Sequence, residues 1–305
     1  MQITPLNGPV SQTISIPGSK SYTNRLLIIA ALTEGSVCLK RPLYSEDTLA
    51  MIECLRTLGV CLETTPDRIV VHGDLRSIEA KHYELFAYDS GTTVRFLLAL
   101  LCLVPGTKTL NGNKRLSERP IHDLVEALRK LGAVIEYVHQ KGQLPINILS
   151  STLSGSSVEL KGDLSSQFCS ALLLISPYFA HGLTIDPIGK KISKPYIDMT
   201  LSCMQEGGVH ALQRENGSYF IPASQSYTKK HYVIEGDFSS AGYFFAIAAL
   251  TKSKIKVSHL NPSSAQADLK FLHLLEKMGH RVTYFKDTIC VEGKELTPLD
   301  INMED

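Results

Sequence analysis

The sequence predicts an α/β fold assembled from a repeated βαβαββ unit, and three observations predict it. Four turns rich in serine, glycine or threonine, at 18–21, 89–93, 164–167 and 237–241, each lead into an apolar helix. About forty residues after each comes a second helical pattern closed by a glycine, at 59, 132, 208 and 279. These glycines recur at intervals of 73, 76 and 71 residues, and glycine in that place is the usual left-handed stop of a helix.

Within each unit the two helices differ. The first is apolar nearly all round, over 26–32, 94–104, 168–175 and 243–250, and a helix without a polar face is expected to be buried. The second is amphipathic; Ile121, Leu124, Val125, Leu128 and Leu131 share one face. Pro120 is expected as the first residue of that helix. The runs 69–72, 134–137 and 281–284 read as short strands that separate the helices, so each unit reads as βαβαββ. The segment 190–196, Lys-Lys-Ile-Ser-Lys-Pro-Tyr, reads as a polar lead-in to a further helix.

Composition bounds the function. The 305 residues are 44% apolar and 20% charged, which fits a soluble chain of about two domains. Thirty-one basic against thirty acidic side chains leave a net charge of +1, so no bulk field draws nucleic acid or an anionic membrane. The longest apolar run, 96–104, is nine residues, far short of the ~20 needed to span a bilayer. Seven cysteines without a C-x-x-C pair argue against a zinc or disulfide framework and read as small core residues. The first residues lack the pattern of a signal peptide. The expectation is a cytoplasmic protein with no membrane or nucleic-acid partner.

Chemistry concentrates at the helix starts. Lys20, Ser21 and Arg25 stand at the first of them, where free N–H groups and the helix dipole favour an anion. The other turns add Gly91, Thr92, Arg95, Ser165, Ser166 and Gln167. Around an axis shared by the units these would pool into a cationic, hydroxyl-lined cleft, with Arg119 and the 190–196 segment nearby. The same residues also fit ordinary capped helices with solvated charges, although four hydroxyl-rich starts exceed what capping needs. A P-loop would need glycines at 14 and 19, where isoleucine and serine stand. No H-E-x-x-H or G-x-S-x-G pattern occurs, so neither a metal site nor a serine hydrolase is expected.

The motifs PGSKSYTNR (17–25), SGTTVRF (90–96), ERPIHDLVEALRKLGA (118–133), LSSQF (164–168), SKPYID (193–198), EGDFSSAGYF (235–244) and LEKMG (275–279) stand in one order along the chain. In these motifs the sequence closely resembles the 5-enolpyruvylshikimate-3-phosphate synthases (3-phosphoshikimate 1-carboxyvinyltransferases). The resemblance implies the enolpyruvyl transferase fold, an inside-out α/β barrel of βαβαββ repeats in two domains. Four visible repeats then imply one complete three-repeat domain at 16–230 and an incomplete second one from 1–15 with 231–305.

The resemblance further implies transfer of the enolpyruvyl group from phosphoenolpyruvate to the 5-hydroxyl of shikimate 3-phosphate, with no cofactor and no metal. Shikimate 3-phosphate would be held by Lys20, Ser21, Arg25, Ser165, Ser166, Gln167, Ser193 and Tyr196. Phosphoenolpyruvate would be held by Lys20, Gly91, Arg95, Arg119 and Gln167, with Lys20 as the catalytic residue. Two departures stand out. Asp89-Ser90 replaces the family's Asn-Ala, which sets an acid beside an anion site. The family's Pro-Asp segment and later basic residues have no counterpart before Asp305. The resemblance therefore implies a C-terminally truncated chain of a monomeric parent, expected to be inactive alone and prone to self-association. The alternative is a non-catalytic fragment that binds shikimate 3-phosphate weakly.

Overall fold

The computed structural model describes residues 8–73, 75–149, 152–161, 165–189 and 194–301. The chain divides into two compact units, one from Lys20 to Ile234 and one built from the residues up to Ser19 with those from Glu235 onward.

It opens with β1 (Ser11–Ser15), then runs through α1 (Lys20–Leu32), β2 (Gly35–Lys40), α2 (Glu46–Thr57) and the hairpin β3 (Cys61–Thr65) and β4 (Arg68–Gly73). The next repeat is β5 (His82–Phe86), α3 (Gly91–Leu101), β6 (Thr107–Asn111), a single turn α4 (Lys114–Ser117), α5 (His122–Lys130), β7 (Ile135–Tyr137) and β8 (Ile146–Ile148). The third is β9 (Ser157–Lys161), α6 (Ser166–Ile175), β10 (Leu183–Ile188), α7 (Lys194–Glu206), β11 (Leu212–Gln213) and β12 (Tyr219–Ile221). Then come β13 (His231–Val233), α8 (Phe238–Leu250), β14 (Lys254–Ser258), α9 (Lys270–Lys277), β15 (Arg281–Tyr284) and β16 (Thr288–Glu292).

All four sheets among the described residues follow one plan, a parallel pair extended by an antiparallel hairpin: β5-β6-β8-β7, β9-β10-β12-β11, β13-β2-β4-β3 and β1-β14-β16-β15. In the last two the opening strand comes from a distant part of the chain. β13 lies parallel to β2 with His231 opposite Cys38, and β1 lies parallel to β14 with Ser11 opposite Lys254. Residue 230 stands just ahead of β13, which packs with the larger unit. The described strands form four separate open sheets, each ended by its own hairpin, and build the expected α/β fold of βαβαββ repeats without a closed strand barrel among the described residues.

Local chemistry explains the helix ends. Ser45, Ser90, Ser165 and Asp237 are the N-caps of α2, α3, α6 and α8, each accepting a backbone N–H with its side chain. Gly59, Gly132, Gly208 and Gly279 follow α2, α5, α7 and α9 with φ of 95°, 100°, 96° and 93°, where a side chain would be strained. The expected start at Pro120 is corrected. α5 begins at His122 because Lys114–Ser117 forms its own turn, and the Pro120 carbonyl instead accepts from Arg95 Nη2 at 3.3 Å.

α1, α3 and α6 pack against one another as the core of the larger unit. Leu27, Leu97 and Leu172 are fully buried there, each burial contributing about 1.5–3 kcal/mol. α8 departs from the expectation of burial: Tyr243 and Leu250 are each 76% exposed. It packs on β14, β16 and α9, with no second apolar helix of its kind in its unit among the described residues. The cysteines are all free, but Cys61 is exposed and Cys38 half-buried, so not all are core residues. No described helix is long and apolar enough to cross a membrane.

Candidate functional site

α1 begins at Lys20, so Lys20, Ser21, Asn24 and Arg25 fall on its first two turns. Opposite stand the starts of α3 and α6. One cavity of about 260 Å³ gathers Lys20, Ser21 and Arg25 with Ser165, Ser166 and Gln167, and Thr92, Asn24 and Tyr196 complete its lining. Seven of the residues expected to bind one ligand thus meet in one place. Ser193 lies outside the described residues. Tyr196 sits in the first turn of α7 rather than ahead of it.

Arg25 is buried, and its donors are occupied. Nε donates to Thr200 Oγ1 at 2.7 Å, Nη1 to the Ser21 carbonyl at 3.0 Å, and Nη2 to Ser170 Oγ at 3.3 Å and the Tyr196 carbonyl at 3.1 Å. Its guanidinium lies 5.3 Å from the centre of the Phe96 ring. All of these partners are neutral, and burial lowers its pKa from the usual arginine value. A buried cation among neutral partners keeps an unspent attraction for an anion in the adjoining cavity. Thr200 and Ser170, which hold it, carry no signal in the local sequence.

Arg95 is 7% exposed. Its Nη1 donates to Gln167 Oε1 at 2.5 Å, while the Gln167 amide nitrogen donates to Thr92 Oγ1 at 3.2 Å. Burial and the nearby charge of Arg119 lower its pKa to about 10. Its Nε is buried without a hydrogen-bond partner among the described residues. Arg95 thus supports Gln167 from behind instead of lining the cavity. Asn24 is likewise buried, with neither amide atom partnered among the described residues.

Gly91 and Arg119 touch. A Cβ built on Gly91 would stand 2.6 Å from Arg119 Nη1 and 3.3 Å from Arg95 Nη1. The Arg119 guanidinium makes no hydrogen bond or ion pair to a described residue and lines a separate cavity of about 350 Å³ with Arg115 and Asp89. Asp89 Oδ2 accepts from Asn113 Nδ2 at 2.7 Å; no ion pair to Lys20 or Arg95 offsets it among the described residues. Lys20 instead pairs with Asp47, Nζ to Oδ2 at 2.8 Å. Sequence reading missed Asp47, since an acid in a first helical turn, two residues after the capping Ser45, reads as ordinary dipole pairing.

The βαβαββ sheets and a cleft ringed by helix starts define a repeat-built α/β protein with a cationic, hydroxyl-lined site. The profile of one family, EPSP synthase (3-phosphoshikimate 1-carboxyvinyltransferase), matches residues 5–305, and the chain belongs to this enzyme family. It is 40% identical over 306 residues to the 3-phosphoshikimate 1-carboxyvinyltransferase of Trichormus variabilis, covering 99% of this chain and 72% of that one. It is 41% identical over 300 residues to the enzyme of that name from Shewanella pealeana, covering 96% and 70%. Among solved structures, EPSP synthase from Acinetobacter baumannii superposes with a TM-score of 0.80 at 21% identity, covering 95% of this chain and 67% of that one, which shows the shared fold. The chain spans about 70% of the length of these relatives, and none of these comparisons supports the expectation of a truncated, inactive chain.

Proposed function

We propose that this chain transfers the enolpyruvyl group of phosphoenolpyruvate to the 5-hydroxyl of shikimate 3-phosphate, releasing phosphate. The observation that carries the reading is the 260 Å³ cavity, where two cations and several hydroxyl and amide groups converge without a carboxylate among the described residues of the lining. Such a surface suits a phosphorylated, hydroxylated acid. Lys20, Ser21, Arg25, Ser165, Ser166 and Gln167 would take its phosphate, carboxylate and hydroxyls, with Tyr196 against the ring. Lys20, Gln167 and the Gly91–Arg119 contact would form the phosphoenolpyruvate side, with Arg95 supporting Gln167 from behind.

In the reaction the 5-hydroxyl gives up its proton as its oxygen bonds to C2 of phosphoenolpyruvate, while C3 takes up a proton and becomes a methyl group. The resulting tetrahedral adduct then loses one methyl proton as its C2–O bond to phosphate breaks and phosphate leaves with the bonding pair. Lys20 contacts the phosphate and carries a proton, and the arginines offset the repulsion of two polyanions. Holding both substrates in register supplies much of the acceleration, and fixed cations stabilise the developing charge. The near balance of 31 basic and 30 acidic residues suits a cytoplasmic enzyme without a nucleic-acid or membrane partner.

A coupled assay of phosphate release from the two substrates tests the reading. Turnover that disappears in Lys20→Ala supports it. Calorimetric binding of shikimate 3-phosphate without phosphate release would reduce the role to binding, and no heat at all would overturn the site.

A further inference from the structure

Lys20 occupies a position no other described residue shares: it lines both the 260 Å³ cavity and a neighbouring cavity of about 720 Å³. The two differ in charge. The smaller holds Lys20 and Arg25 with neutral polar groups. The larger holds Glu46, Asp47, Glu53 and Asp89, with Lys20 its sole cation among the described residues. The Lys20 ammonium is turned to the acidic side, 2.8 Å from Asp47 Oδ2.

Asp47 is itself firmly placed. It stands in the first turn of α2 behind the Ser45 capping box, and its backbone carbonyl accepts from Thr93 Oγ1 on α3 at 3.0 Å. Burial alone would raise its carboxyl, but hydrogen bonding with Lys20 and Ser90 and the charges of Lys20 and Arg119 together hold it below the ordinary value of 3.8. The carboxylate is therefore ionised at neutral pH, flanked by two cations assigned above to substrate.

We propose that Asp47 is a positioning residue that holds the Lys20 ammonium on the acidic side until a phosphorylated ligand enters the smaller cavity and competes for it. Asp47 is thus a resident counter-ion, and ligand affinity reflects the exchange of one anionic partner of Lys20 for another. Because part of the ligand's attraction goes to breaking the pair, apparent affinity is lower than the cavity alone would give. The proposal rests on the ligand reading made under Proposed function.

The test compares wild type, Asp47→Asn, Lys20→Met and the double variant by calorimetry at low salt, with inorganic phosphate and separately with shikimate 3-phosphate. Asn keeps the backbone contact to Thr93 and the size of the side chain. With Lys20 47% and Asp47 27% exposed, the pair is in the range of exposed ion pairs, so D47N should tighten binding about two- to fivefold. The gain should vanish in the K20M background. A merely structural role predicts the reverse, since loss of a supporting contact weakens binding. Unchanged or weaker binding of both probes by D47N, or the same gain with Met at position 20, overturns the proposal. Phosphate that tightens while shikimate 3-phosphate fails to bind any variant leaves Asp47's role standing and sinks the ligand reading instead.

Discussion

Arg95 Nη1 meets Gln167 Oε1 at 2.5 Å, which fixes the Gln167 amide with its oxygen on the second turn of α3 and its nitrogen on Thr92 at the start of that helix. Two helix starts from different repeats are thereby locked into one surface. Gln167→Ala removes the acceptor and leaves Arg95, whose Nε already lacks a partner, with one more unmatched donor. The expected outcome is a loss of about 1–3 kcal/mol in urea unfolding, with weaker shikimate 3-phosphate binding by calorimetry. Stability equal to wild type would show that the amide does not support Arg95.

Gly91→Ala should separate function from stability. The new methyl would meet Arg119 Nη1 at 2.6 Å, the movable end of a flexible side chain, so Arg119 swings aside and the backbone stays. Alanine also narrows the unfolded chain's freedom relative to glycine, which is worth about 0.4–1 kcal/mol where the backbone is compatible. Thermal unfolding should therefore be unchanged or higher, while the KM for phosphoenolpyruvate rises in the coupled assay. A fall in melting temperature would contradict the geometry.

At Arg25, the charge-conserving change should be costly. Lysine cannot reproduce the four hydrogen bonds to Thr200, Ser21, Ser170 and Tyr196, because it lacks the planar fork. Arg25→Lys is expected to destabilise by about 2–4 kcal/mol in denaturant titration. Near-wild-type stability would mean that the polar cluster rearranges freely.

Lys108 should make stability rise with pH. It is fully buried, donates to the carbonyls of Val104 at 2.6 Å and Gly106 at 2.9 Å, and burial pulls its pKa from 10.5 down to about 8. Between those values the unfolded chain keeps a proton that the folded chain has released. Stability therefore climbs with pH across that window, by at most about 1.4 kcal/mol per unit. Unfolding of wild type and Lys108→Met from pH 7 to 10 checks it. The variant should lack this slope, and parallel curves would refute it.

Much of the fold was legible because its punctuation is local. Ser90 and Asp237 bond to N–H groups within their own first turn, and Gly59, Gly132, Gly208 and Gly279 each stop one helix. The site residues on helix starts were legible for the same reason. What decides their roles was not. Arg25 looks like a free cation in sequence, yet Ser170 and Thr200, 145 and 175 residues away, take up its donors. An apolar pattern states that α8 would favour cover and says nothing of whether cover is at hand, hence the exposed Tyr243. The partnering of β13 with β2 depends on a chain reversal that no local signal records.

That reversal gives the protein a modular grammar. The chain leaves the smaller unit at Ser19 and rejoins it at Glu235, and there the Ser19 N–H donates to the Glu235 carbonyl at 2.8 Å while Asp237 N–H donates to Pro17 at 3.1 Å. The 215-residue segment Lys20–Ile234 is therefore an insert with its two ends at one doorway, and it carries every strand of its own three sheets. An insert of this kind can be lifted out and its host rejoined by a short turn, or exchanged for another, without rethreading either piece.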